Sequence, residues 1–101
     1  MDMSKYLDLY LSESREHLAG AEGALASLAS GEKGQVVHDL FRHAHSLKGM
    51  ANSMGFTSIG ELAHRIEAEA EEIRLEQEIE TLRQRREEDH LLQTKLQLAE
   101  R

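Results

Sequence analysis

Met3, Tyr6, Leu7, Tyr10, Leu11, Leu18, Ala21, Leu25 and Leu28 recur at three- and four-residue steps, the spacing that lines one stripe of a helix. It predicts a first helix from about Ser4 to Ala29. Ser30-Gly31-Glu32-Lys33-Gly34 then marks a tight connection, because glycine readily takes the positive-φ conformations that end helices. A second helix is expected from about Gln35, with Val36, Val37, Leu40, Ala44, Leu47 and Ala51 as its buried stripe. His38, Arg42, His45, Lys48, Gly49 and Asn52 fall on or near the other side, so His45 looks outward. Gly55 and Phe56 punctuate the chain again. Ser58 and Glu61 have the spacing of a capping box for a third helix, whose apolar stripe is Ile59, Leu62, Ala63, Ile66, Ala70 and Ile73.

From Arg74 to Asp89 the pattern weakens: ten of sixteen residues are charged, and only Leu75, Ile79 and Leu82 suit a core. Leu91, Leu92, Leu96 and Leu98 restore an apolar stripe. Two architectures follow. The chain turns near Arg85 to Asp89, with Asp89 capping a short fourth helix, or one helix runs on to Arg101. A continuous helix from Thr57 would be about 67 Å long, which suits a coiled-coil dimer or an exchanged helix better than one bundle. The lack of Gly or Pro after Gly60 favours continuity, and the charged gap favours a break.

Composition narrows the class. The 101 residues suffice for one core, and the absence of proline with few β-branched or aromatic residues points to an all-α domain. A net charge of -7 disfavours nucleic acid, whose phosphates draw mainly on Lys and Arg. No cysteine is present, so disulfides, thiolate metal sites and thiol catalysis are excluded. No apolar run is long enough for a signal peptide or membrane span, which makes a cytoplasmic protein the default expectation.

The chemistry concentrates in Phe41-Arg42-His43-Ala44-His45-Ser46-Leu47-Lys48-Gly49 and the residues up to Phe56. A neutral imidazole nitrogen is nucleophilic near neutral pH, and the N–P bond it forms passes its phosphoryl group on readily. Lys48, about one turn beyond His45, is placed to neutralise phosphoryl charge, and Gly49 leaves the surface bare for an approaching partner. In the third helix His64 and Glu67 share a face set away from Ile59, Leu62 and Ile66. If helices two and three pack antiparallel, Glu67 can accept the proton on one nitrogen of His45 and so fix its tautomer.

His45-Ser46-Leu47-Lys48-Gly49, then Gly55-Phe56, Leu62, His64 and Glu67, closely resemble the histidine phosphotransfer (HPt) domain at the N-terminus of the chemotaxis histidine kinase CheA. The resemblance covers residues 4 to 73. It implies an up-down antiparallel four-helix bundle, in a single domain of residues 1–101 whose segment 74–101 diverges from the family. That segment is then extended, exchanged or dimerising. The resemblance further implies that His45 takes phosphate from ATP held by a separate kinase domain and donates it to an aspartate of a response-regulator receiver domain. Lys48, His64 and Glu67 would form the network around it. By the same resemblance the chain is a fragment of a CheA-type kinase.

Arg42, Gly49, Asn52 and Phe56 are the candidate partner-binding residues. Met50, Met54 and Phe56 are read as ordinary packing or as part of a regulator's docking surface. His17, His38 and His43 read as solvated. His38 with His45 is a weak metal pair, since no carboxylate completes a set, and neither metal nor cofactor is expected. No Gly-rich phosphate loop is present, so the chain is read as substrate and phosphocarrier rather than enzyme. The competing reading is a structural or adaptor protein dimerising through a C-terminal coiled coil, with His45 incidental.

Overall fold

The structure, a computed structural model, describes residues 3–100. These form three α-helices: α1 (Met3–Ala29), α2 (Gln35–Ser53) and α3 (Thr57–Ala99). The all-α class holds, but a separate fourth helix is not found among the described residues. Asp89 lies inside α3 and caps nothing, so the chain takes the continuous alternative as far as Ala99; Arg101, the end expected for it, lies outside the described residues. Continuity has local causes. No Gly or Pro follows Gly60, and Arg74 bridges Glu71 and, at 3.2 Å, Glu78 across the start of the charged run.

The connections work as their glycines suggest. At the end of α1, Gly31 (φ 97°) and Glu32 bond back to Leu28 and Ser27; at the end of α2, Gly55 (φ 78°) and Phe56 bond back to Asn52 and Ala51. Both are Schellman closures, which satisfy carbonyls that a helix end leaves without partners. The capping box expected at Ser58 does not form. α3 starts at Thr57, with Phe56 as its N-cap and no side-chain capping bond.

α2 is the middle element and packs against both α1 and α3. Its predicted stripe is correct: Val37, Leu40, Ala44, Leu47 and Ala51 are buried and Val36 half-buried. The helices meeting it present small residues, Ser14, Ala21 and Ala24 from α1 and Gly60, Ala63 and Ala70 from α3. Leu40, only 3% exposed, joins Ala21, Ala24 and Ala70 in one cluster and so ties all three helices together.

The stripe predicted for α1 is largely a correction. Met3, Tyr6, Leu7, Leu11, Leu18 and Leu25 are exposed, and only Ala21 is buried, because α1 turns its small residues toward α2. On α3 likewise Ile59, Leu62 and Ile66 are exposed while Ala63 and Ala70 are buried. Beyond Gln77 every described residue of α3 is exposed.

Leu40→Ala is expected to lower the unfolding free energy by about 2–4 kcal/mol, since it removes the side chain shared by three helices. Urea unfolding followed by circular dichroism measures this, and a loss under about 0.5 kcal/mol would deny Leu40 that role.

Candidate functional site

The α2–α3 seam carries a carboxylate that the sequence places at its edge. Glu67 stands one turn before Ala70 on the face of α3 turned to α2, and its side chain is only 10% exposed. Burial pushes its carboxyl up. Hydrogen bonds from Lys48 and His45, with the charges of both, outweigh that and leave it below the ordinary carboxylate range.

Glu67 thereby gathers the predicted set. The His45 imidazole bonds to Oε2 through Nδ1, and the Lys48 ammonium donates to Oε1 at 2.8 Å. His64, one turn earlier on α3, brings its Nδ1 to 3.5 Å from Oε1. An ionised carboxylate only accepts, so His45 donates a proton from Nδ1 in this bond, and a neutral ring in this bond carries its one proton there. Its lone pair then lies on Nε2, across the ring from that bond. The His45 side chain is 63% exposed and Lys48 26%, so an outward ring stands on a largely buried ion pair. Lys48 is engaged by Glu67 rather than extended into solvent. Phe41, one turn before His45, lies nearly parallel to its ring, with centroids 6.1 Å apart and planes at 14°.

The candidate partner-binding residues fall in different surroundings. Gly49 is exposed, and a Cβ added there would meet nothing. Arg42 is exposed and pairs with Asp39 at 3.2 Å. The Asn52 side chain lies across Gly60 at the α2–α3 crossing, so close that a Cβ on Gly60 would collide with it. Phe56 packs tilted against Tyr10 of α1, centroids 5.2 Å apart, and anchors the α2–α3 turn.

His17 and His43, read as solvated, are instead half-buried and hydrogen-bonded Nδ1 to Nδ1 at 3.0 Å between α1 and α2. The His43 ring fills the space where Gly20 lacks a Cβ. The available signal was Gly20 itself, a helix-interior glycine with no turn to make. Among the described residues, no group of three or more His, Asp or Glu side chains is placed to hold a metal.

An open groove of about 510 Å³ beside His45 is lined by Tyr10, Glu13, His17, Gly49, Met50 and Met54, among others. A larger one of about 870 Å³ lies away from the histidine, between Lys33-Gly34 and the segment of α3 from Arg74 to Arg85. The first groove is the one that His45 itself lines. No helix among the described residues is long and apolar enough to cross a membrane.

The Hpt domain family matches residues 5–100. The chain is 44% identical to the chemotaxis protein CheA of Bacillus subtilis over 75 residues, 73% of this chain and 11% of that protein. It is 39% identical to CheA of Listeria monocytogenes over 69 residues (67% and 11%) and 37% identical to CheA of Halobacterium salinarum over 73 residues (71% and 11%). It thus spans about a ninth of the length of these relatives. No solved structure matches the chain significantly.

Because Glu67 titrates below the ordinary glutamate range when folded, its contribution to stability is full above that range and is lost as pH falls through the lower folded value. Carbon-13 NMR of the Glu67 carboxyl is expected to show this depressed midpoint, and Lys48→Met to move it upward. A midpoint unmoved by Lys48→Met would contradict the assignment of Lys48 as a main cause.

Proposed function

The chain belongs to the Hpt domain family, and from that premise we propose that His45 is its phosphoryl acceptor and donor in chemotaxis-type two-component signalling. One observation carries the reading: an exposed imidazole whose Nδ1 is held by a largely buried, ionised Glu67. The family and its CheA relatives support the general role in phosphotransfer. The residue roles and the partners belong to this proposal.

The Nε2 lone pair attacks the γ-phosphorus of ATP bound to a separate histidine kinase domain. The N–P bond forms as the bond from phosphorus to the bridging oxygen breaks, and ADP leaves with that electron pair. The ring becomes cationic as the new bond forms. Glu67, beside the proton on Nδ1, stabilises that cation and holds the ring in line, while Lys48 keeps Glu67 ionised. In the second half-reaction a carboxylate oxygen of a response-regulator receiver domain attacks phosphorus and the electron pair returns to Nε2. The ring needs no net change of proton over the two steps. Lys48, Glu67 and His64 are thus positioning residues for His45. Arg42, Gly49, Asn52 and Phe56 border the approach of both partners, with the bare backbone at Gly49 providing the clearance. The chain itself serves as substrate and carrier of the group.

Incubation with a chemotaxis-type kinase domain and ATP is expected to load wild type with acid-labile, base-stable phosphate and to leave His45→Gln unlabelled. Glu67→Gln is expected to slow loading by roughly 10²-fold, the upper part of the range for losing such an orienting partner. Equal labelling of His45→Gln and wild type would end the reading.

A further inference from the structure

Two features of the fold remain without a function. One is an uncovered apolar side of the bundle. On α1 the exposed Leu7, Leu11, Leu18 and Leu25 stand, at about 100° per residue, a quarter turn from the row Ser14, Ala21 and Ala24 that faces α2. On α3 the exposed Ile59, Leu62 and Ile66 stand a quarter turn from Gly60, Ala63, Glu67 and Ala70, in the opposite sense. Short connections make α1 and α3 parallel on either side of α2, so the two rows look toward one side of the three-helix layer.

The other feature is the α3 extension. The molecule measures 80 × 23 × 19 Å with a radius of gyration of 20.8 Å, where a compact chain of this length has about 13 Å. It exposes 7901 Å², against roughly 5,800 Å² for a compact chain of its mass. The excess, roughly 2,100 Å², exceeds the 800 Å² or so per partner of a standard interface and falls in the obligate range.

We propose that the uncovered side of each bundle is filled by the α3 extension of a second copy, in a two-fold dimer where each copy gives one extension and receives one. The occupant follows from three observations. The extension is the right kind of element, a helix whose described residues are all exposed beyond Gln77, with only Lys33 and Gly34 of its own bundle lining a groove beside its first turns. It does not reach its own uncovered side, because α3 runs without a break from Thr57 to Ala99. Its flank matches: Leu91, Leu92, Leu98 and Ala99 centre on the flank of α3 that carries Ile59, Leu62 and Ile66 and its border with the α2-facing row, at 100° per residue. When two α3 helices lie antiparallel, that is the flank each extension turns to its partner's bundle. Within the charged run the same flank carries the uncharged Gln77, Thr81 and Gln84, with Arg74, Glu80, Glu88 and later Lys95 as its interruptions. Leu75, Ile79 and Leu82 lie on the outer side of the pair. The association is isologous and closed, so it stops at two copies.

Glu67 lies in the α2-facing row and His64 on the flank beyond it, away from Ile59, Leu62 and Ile66, so His45 stays accessible in the dimer, and phosphoryl uptake is a readout independent of association. The chain's mass in solution, by sedimentation velocity and light scattering, is expected to be that of two chains. Leu18→Asp with Leu25→Asp alters only the receiving side, and Leu91→Asp with Leu98→Asp only the inserted side. Each pair is expected to shift the mass to one chain, weakening association at least tenfold, with far-UV circular dichroism and His45 labelling retained. A wild-type mass of one chain overturns the proposal without recourse to any variant. So does a two-chain mass for the Leu18/Leu25 variant, which would mean that the extensions pair with each other and leave the bundles uncovered.

Discussion

The site depends on keeping one carboxylate ionised where water is mostly excluded. Glu67 sits at the α2–α3 seam, where desolvation alone would favour its protonated form. Two donors from α2, His45 and Lys48, three residues apart and so on one face, oppose that. The dependence runs both ways: Lys48 keeps Glu67 charged, and the charged Glu67 orients His45. A buried ion pair adds little net stability, yet removing one partner strands the other, so the triad behaves as a unit. What the fold gains is a fixed ring on an otherwise mobile, exposed side chain.

The packing around the triad serves that arrangement. α2 lies close to α3 because α3 buries the small residues Gly60, Ala63 and Ala70 along its contact with α2, and Asn52 closes over Gly60. Glu67 lies within this row of small residues, so its oxygens reach His45 and Lys48 without side chains intervening. Phe41 spans the core cluster and the His45 ring, which links the ring's surroundings to the packing of all three helices.

How much of this was legible in the sequence varies with the physics of each element. The α2 stripe was read correctly because α2 is packed from two sides, so burial follows large apolar side chains at helical spacing. On α1 the same reading failed: Leu7, Leu11, Leu18 and Leu25 mark the uncovered side, while contact with α2 runs through Ser14, Ala21 and Ala24, of which the apolar spacing included only Ala21. The His17–His43 contact was hidden for a related reason, since it depends on a space at Gly20 that appears only when helices are placed together. The convergence of His45, Lys48, His64 and Glu67 was legible from their spacings and the family motif. For the C-terminal third, the absence of helix breakers proved a better guide than the charged gap, because intrahelical pairs such as Arg74 with Glu78 hold the helix through it.

The central claim is that Glu67 holds His45 by Nδ1 and leaves Nε2 to take the phosphoryl group. Nitrogen–phosphorus correlation NMR on the phosphorylated, nitrogen-15-labelled chain tests it most directly. A single phosphorylated imidazole is expected, that of His45, with phosphorus bonded to Nε2. Phosphorus on Nδ1 of His45, or on any other histidine, would contradict it.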